Sequence, residues 1–247
     1  MPFTPCHAAL ALPLLRLSPR YLSGTALIAG SMAPDFEYFF RMETNGIHGH
    51  TIPGIFYFDV PVVILLSFLF HNIVKNSLID NAPVWIRTRL QVLRRFDFND
   101  YFKTNYIAVI VSAVLGTMTH IFWDAFTHKT GYFVHLFDSF YARNNLQFAG
   151  LNIPLYKLLQ HLSTWVGFVI IVFYIRAIPS EQVVEARSKN KNYWPGIVLI
   201  TATIFALRFS IRPDDISLGN VMATLISGGC IALLTLGLFF VQRANAN

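Results

Sequence analysis

The chain has 247 residues, of which 54% are hydrophobic before glycine is counted and only 13% are charged; soluble domains average roughly 45–50% and about 25%. Disordered and coiled-coil chains are excluded, and a mean hydropathy of +0.50 makes lipid the solvent for much of the surface. The net charge of +6 comes from Lys and Arg scattered between apolar stretches, with no basic block interleaved with aromatics, so lipid headgroups rather than nucleic acid are the expected partners.

The N-terminus, MPFTPCHAALALPLLRL, has no basic stretch before its apolar part and carries Pro13 and Arg16 inside it, so it reads as mature sequence rather than a signal peptide. The apolar region Ala8 to Met32 is interrupted by Pro13, Arg16, Pro19 and Arg20. It is expected to form two short helices that enter or lie on the membrane, the first starting at Thr4 and Pro5, the second capped by Ser23. A span needs about 20 largely apolar residues, and five stretches qualify: Ile55 to Val74, Asn105 to Phe126, Leu162 to Ile178, Pro195 to Ile211 and Leu218 to Val241. The fold class is therefore all-α, a polytopic membrane helical bundle forming a single domain over 1–247. Residues 1–54 supply the N-terminal helices and ligand loop, and 55–241 supply the spans.

With five spans, the basic residues outside them divide seven (Arg16, Arg20, Arg41, Lys129, Arg143, Lys157, Arg212) against ten on the side of the 75–104 loop. The positive-inside rule puts that loop, with Arg87, Arg89, Arg94, Arg95 and Lys103, in the cytoplasm and the N-terminus outside. The linker Pro179 to Tyr193, carrying Glu181, Glu185, Arg187, Lys189 and Lys191, reads as a solvated loop. Ser227, Gly228, Gly229 and Gly237 mark the last spans as packing helices. Cys6 and Cys230 lie far apart in unlike contexts and suggest neither a disulfide framework nor a cysteine zinc site.

Chemistry concentrates on one face. Of eight histidines, His7, His48, His50, His128, His135 and His161 fall in, or at the edges of, the N-terminal and 127–161 segments, and His120 lies near the span end facing the same side; His71 is the exception. In the run His120-Ile-Phe-Trp123-Asp124-Ala-Phe-Thr-His128, four-residue spacing places His120 and Asp124 on one helix face, with His128 further round. Imidazole and carboxylate together suit a divalent cation such as zinc. The alternative is that the two hydrogen-bond each other at an interface. Ala108, Ser112 and Gly116 extend the same rhythm upstream and would admit a closely packed segment. Further ligands are available in His7, in Asp35, whose alternative is a helix cap, and in His48 or His50, which flank a glycine. Glu37 is read as a solvated carboxylate paired with Arg41 four residues on, its alternative being a supporting or basic group two residues beyond Asp35. Asp59 is read as a cap or an Arg partner, and His161 as a candidate lining residue.

The segments PFTPCHAALALPLLRL, IAGSMAPDFEYFFRM, HGHTIPGIFYFDVP, GTMTHIFWDAFTH and NIPLYKLLQHLSTWVG resemble an uncharacterised bacterial integral-membrane family, domain of unknown function 4184, over essentially the whole chain. More distantly, the order His, Asp, His, His-x-x-x-Asp, His is similar to that of zinc-dependent phospholipase C and membrane-bound metal-dependent hydrolases. That resemblance implies one metal held by Asp35, His48 or His50, His120 and Asp124, a second at His7 with Asp124, and a third at His128. The pattern departs from the phospholipases in lacking a processed N-terminal amine and in following His135 with Asp138 where they have His-x-x-x-Glu, so one or two ions, most simply zinc, are expected. The leading expectation is a membrane-embedded metal-dependent hydrolase of phosphoester or lipid-linked substrates. The rivals are a metal-handling transporter, disfavoured because the spans hold few acidic residues, and a non-catalytic scaffold with a structural His/Asp cluster.

Overall fold

Apolar runs long enough to cross a bilayer form helices at all five expected places: Ile52–Asn81, Phe98–Leu136, Leu155–Ala177, Tyr193–Ile211 and Leu218–Gln242. The chain is a multi-pass membrane protein. The computed structural model describes residues 3–17, 21–148, 150–181 and 190–245. Pro19, Arg20, Glu185, Arg187 and Lys189 of the sequence reading lie outside the described residues.

In chain order, a 3-10 turn Thr4–His7 with Pro5 in its first turn leads into α1 (Ala8–Leu17), and α2 (Gly24–Gly30) and α3 (Ala33–Arg41) follow. The apolar region forms two short helices as expected, but Pro13 and Arg16 lie within α1 and do not interrupt it. The first span, α4 (Ile52–Asn81), contains two π-helical turns, Ile55–Asp59 and Phe70–Val74. The first widened turn, where the Val60 N–H reaches back to the Ile55 carbonyl, immediately precedes Pro61, which has no N–H to donate. After α5 (Val84–Leu90) comes α6 (Phe98–Thr127), broken at Asn105, whose φ of -128° is not helical and whose side-chain amide donates to the Tyr101 carbonyl. Then follow α7 (Tyr132–Leu136), α8 (Asp138–Arg143), a hairpin of β1 (Leu146–Phe148) and β2 (Leu151–Ile153), α9 (Leu155–Ala177), α10 (Tyr193–Ile211) and α11 (Leu218–Asn245). The strands pair antiparallel with Leu146 opposite Ile153. Helix α9 begins at Leu155 rather than Leu162, so Gln160 and His161 sit within it.

The residues form two units. The first takes Met1–Pro34, His48–Ile64 and Ile107–Tyr174; the second takes Asp35–Ile47, Leu65–Tyr106 and Ile175–Asn247.

In the first unit, α2 lies backbone to backbone against α6. A Cβ on Gly30 would stand 2.6 Å from the Ala113 carbonyl oxygen, and one on Gly116 2.3 Å from that of Leu27, so only glycine fits at either position. Ser23 caps α2, its Oγ accepting from the Ala26 N–H, while its own N–H donates to Ser112 Oγ at 2.8 Å. The small-residue face expected on α6 is thus the face α2 uses. At the far end of that helix, the Tyr141 hydroxyl donates to the Phe126 carbonyl at 2.9 Å.

In the second unit, α10 and α11 pack together. Gly228 faces Thr201, and a Cβ on Gly237 would be 2.6 Å from the Ile73 carbonyl oxygen, whereas Gly229 meets nothing within 4 Å. Polar side chains here serve backbone or charge. Ser227 Oγ donates to the Phe39 carbonyl at 2.6 Å, Lys75 Nζ to that of Phe96 at 2.7 Å, and Asn220 Oδ1 accepts from the Thr44 N–H at 2.9 Å. Glu37 pairs with Arg41 at 3.2 Å as its spacing predicts, and also accepts from the Ile47 N–H at 2.8 Å. In the basic cluster, Arg94 pairs with Asp80, Arg95 with Glu181, and Arg89 donates to the carbonyls of Trp85 and Arg176. Cys6 and Cys230 are both free thiols.

Candidate metal centre

The centre belongs to the first unit and is organised around Asp124. On α6, the four-residue spacing stacks His120, Asp124 and His128 on consecutive turns, His128 following the last helical residue with its N–H still donating to the Asp124 carbonyl at 3.0 Å. The 3-10 turn at the N-terminus delivers His7. The segment 48–51 delivers His50, and its form follows from two local features. A Cβ on Gly49 would fall 2.4 Å from the Pro34 carbonyl oxygen, so the segment passes tightly under that backbone. Thr51 then caps α4, its Oγ accepting from the Gly54 N–H at 3.0 Å and donating to the His48 carbonyl at 2.9 Å.

Both carboxylate oxygens of Asp124 face imidazole nitrogens. Oδ2 stands 3.3 Å from His120 Nε2 and 3.5 Å from His50 Nε2. Oδ1 stands 3.6 Å from His7 Nε2 and 3.3 Å from His128 Nδ1. The His7 and His120 rings stack with centroids 3.8 Å apart. Charge-assisted hydrogen bonds are shorter, about 2.7–2.9 Å. Donors each about 2.1 Å from a tetrahedral zinc ion stand about 3.4 Å apart, which is the spacing found here. Ligand atoms of His50, His120 and Asp124 all lie within 4.8 Å of one another and could hold a metal ion.

Protonation sharpens that fit. His120 Nδ1 is 2.8 Å from the Ser31 carbonyl oxygen, which can only accept, so Nδ1 carries the ring proton. In the neutral ring, Nε2 then turns a lone pair toward Asp124 Oδ2, an arrangement that needs a cation, whether a proton or a metal ion, between the two. A single carboxylate balances one imidazolium, and the other imidazoles around it gain from a metal what a proton cannot supply to all of them. A histidine whose second nitrogen donates to a backbone carbonyl is also the usual outer support of a metal ligand. His128 is held differently. The Gln160 amide nitrogen lies 3.2 Å from His128 Nε2 and donates to it, which leaves the ring proton on Nδ1, facing Asp124. In this state His128 braces the carboxylate.

The centre is closed on one side and open on the other. The side chains of His7 and His120 are 1% and 0% exposed, while those of His50 and His128 are 28% and 27% exposed. Cys6, beside His7, is buried, and burial pushes its thiol pKa up.

The Domain of unknown function (DUF4184) family model matches residues 1–238. The chain belongs to that family. No curated protein and no solved structure matches it; the likeness to metal-dependent hydrolases rests on the order of ligand-type residues.

Among the other residues singled out in this DUF4184 member, His48 is hydrogen-bonded through Nδ1 to the Tyr57 hydroxyl at 2.9 Å, whereas His50 faces Asp124. Asp35, completely buried in the first turn of α3, opens the second unit one residue beyond Pro34. Asp59 is fully buried at the end of the π-helical turn in α4, and His161 is exposed on α9. Two supporting groups were missed, the Ser31 carbonyl and Gln160. A backbone oxygen has no sequence signature. Gln160 lies 32 residues from His128 and is spaced by no local rule.

Proposed function

We propose that this protein is a membrane-embedded, divalent-metal-dependent hydrolase of phosphoester substrates. The observation that carries the reading is the Asp124 carboxylate facing imidazole nitrogens with both oxygens at 3.3–3.6 Å, with the tautomer of His120 set by a carbonyl. His50, His120 and Asp124 hold the ion. His7 faces the other oxygen of Asp124 and gives a second position, so the carboxylate can serve one ion or two. A bound divalent ion supplies a more acidic water and polarises a phosphoryl oxygen.

The chain's own residues supply position and access. Ser31 and Gln160 fix the rings of His120 and His128, and the half-exposed His50 and His128 leave a side by which substrate reaches the centre. Hydrolysis joins the oxygen of water to phosphorus, breaks the bond from phosphorus to the leaving alcohol oxygen, and sends the proton of water to that alcohol.

Protein purified without chelator should carry near-stoichiometric zinc or manganese by plasma mass spectrometry. Asp124→Ala and His120→Ala should fall to background while still running as folded protein on gel filtration. Absence of metal from the wild type sinks the reading, and a phosphodiester and phospholipid panel on the loaded protein tests turnover.

A further inference from the structure

A cavity of about 340 Å³ lies in the first unit between the N-terminal turn with α1 and helix α9. Its walls include Leu10 and Pro13 from α1, Trp123 from α6, Leu162 and Val166 from α9, and His7 from the N-terminal turn. Among the lining residues His7, Ser163 and Trp123 carry strong hydrogen-bonding groups, and the Ser163 hydroxyl is already donated to the Gln160 carbonyl at 3.0 Å. A polar occupant would lose its hydration and recover few hydrogen bonds along this wall. An apolar one would not. Volume and lining match those of small-molecule sites rather than of a packing gap.

Two further features say what enters. Leu162 and Val166 are 55% and 50% exposed on a membrane-spanning helix, so the cavity opens sideways to where lipid chains are. Its α9 wall runs from Leu159 to Ile170, which at 1.5 Å per residue is about 16 Å of helix, long and narrow rather than round. At Gly167 a Cβ would stand 2.9 Å from the Cys6 carbonyl oxygen, so the N-terminal turn sits directly on α9. His7, in that turn, lines the cavity and faces Asp124.

We infer that this cavity is the hydrocarbon-chain subsite of the same centre: the substrate is a membrane amphiphile whose chain enters between α1 and α9 and whose phosphoester head lies beyond His7, at Asp124. The inference rests on the proposed function for the chemistry at the head and on the cavity alone for the chain.

The test is photolabelling of the full chain in nanodiscs with a phosphatidic acid carrying a diazirine at its acyl tip, mapped by peptide mass spectrometry. Label should concentrate on α1 and α9. Leu162→Trp and Val166→Trp, which fill the cavity from exposed positions, should lower it severalfold with metal content unchanged, while Val198→Trp on the exposed face of α10 should leave it unchanged. On the wild-type protein, hexadecyl phosphate should compete for the label and butyl phosphate should not. Label spread evenly over all five spans, label undiminished in both cavity-filling variants, or equal competition by the two phosphates overturns the inference. Cavity labelling of a metal-free protein overturns the hydrolase reading and leaves the chain subsite standing.

Discussion

Two buried histidines on membrane-spanning helices, one in each unit, have opposite surroundings. His71 in the second unit lies among Phe70, Phe96 and Phe98, stacked on Phe98 at 4.9 Å. His120 in the first lies among His7, His50 and Asp124. The same contrast runs through the polar groups around them. In the second unit, Ser227, Lys75, Arg89 and Asn220 bond to backbone, and Arg94, Arg95 and Arg208 to carboxylates. These are ways of satisfying polar groups in an apolar medium. In the first, several imidazoles converge on one carboxylate at separations too long for good hydrogen bonds. Burial of an ionisable group is therefore weak evidence of function. The stronger evidence is an imidazole lone pair, that of His120, brought face to face with a carboxylate, a geometry that is unfavourable until a cation arrives.

The comparison can be broken most severely at Gly116. Replacing it by Leu drives a side chain into the Leu27 backbone, which lies 2.3 Å from the Cβ position, and should cost more than about 3 kcal/mol. Because α2 then moves off α6, the Ser31 contact to His120 is lost too, so melting temperature and metal content should fall together. A variant that melts lower with full metal would show that the close helix packing does not position His120.

Gln160→Ala should act on the centre alone. It should weaken metal affinity by about 10–100-fold, the usual effect of losing an outer support, with the melting temperature of the metal-free protein little changed. Unaltered affinity by competitive chelator titration would remove His128 from the centre. Ser227→Ala, in the other unit, should show the converse: about 1 kcal/mol of stability lost with its bond to the Phe39 carbonyl, and metal content untouched.

The smallest effect concerns Cys6. With its pKa raised by burial, the folded protein keeps the thiol proton at pH values where the unfolded chain has lost it. The group's contribution to stability is whole below the unfolded pKa and declines as pH rises through and above it. Alkylation by iodoacetamide should accordingly be slow at neutral pH and speed up at a higher pH than for an exposed thiol. Rapid labelling at neutral pH would contradict the buried thiol beside His7.

Helix number, the two short N-terminal helices and the small-residue face of α6 were legible because each depends on local composition or periodicity: apolar runs of span length, the cap at Ser23, and Ser112 and Gly116 recurring every four residues. The ends of the spans were less so, since α9 begins within a polar stretch, its first-turn N–H of Leu155 bonded to Asn145 Oδ1 at 3.1 Å. At the centre, the spacing of His120, Asp124 and His128 was legible for the same reason. The choice between His48 and His50 was not, because both flank Gly49, and which of them turns toward Asp124 depends on how that glycine passes under Pro34.

The sequence by itself therefore determined that the chain lives in a membrane, that it crosses five times, and that a histidine and an aspartate share one helix face. Only the tertiary structure decided that His7 and His50 arrive from distant segments at opposite oxygens of that aspartate, that a backbone carbonyl sets the tautomer of His120, and that His7 also lines an apolar cavity. The physical reason is that periodicity reports how a residue stands on its own helix. Which other segment it meets depends on packing, here on glycines that let backbones come within van der Waals contact.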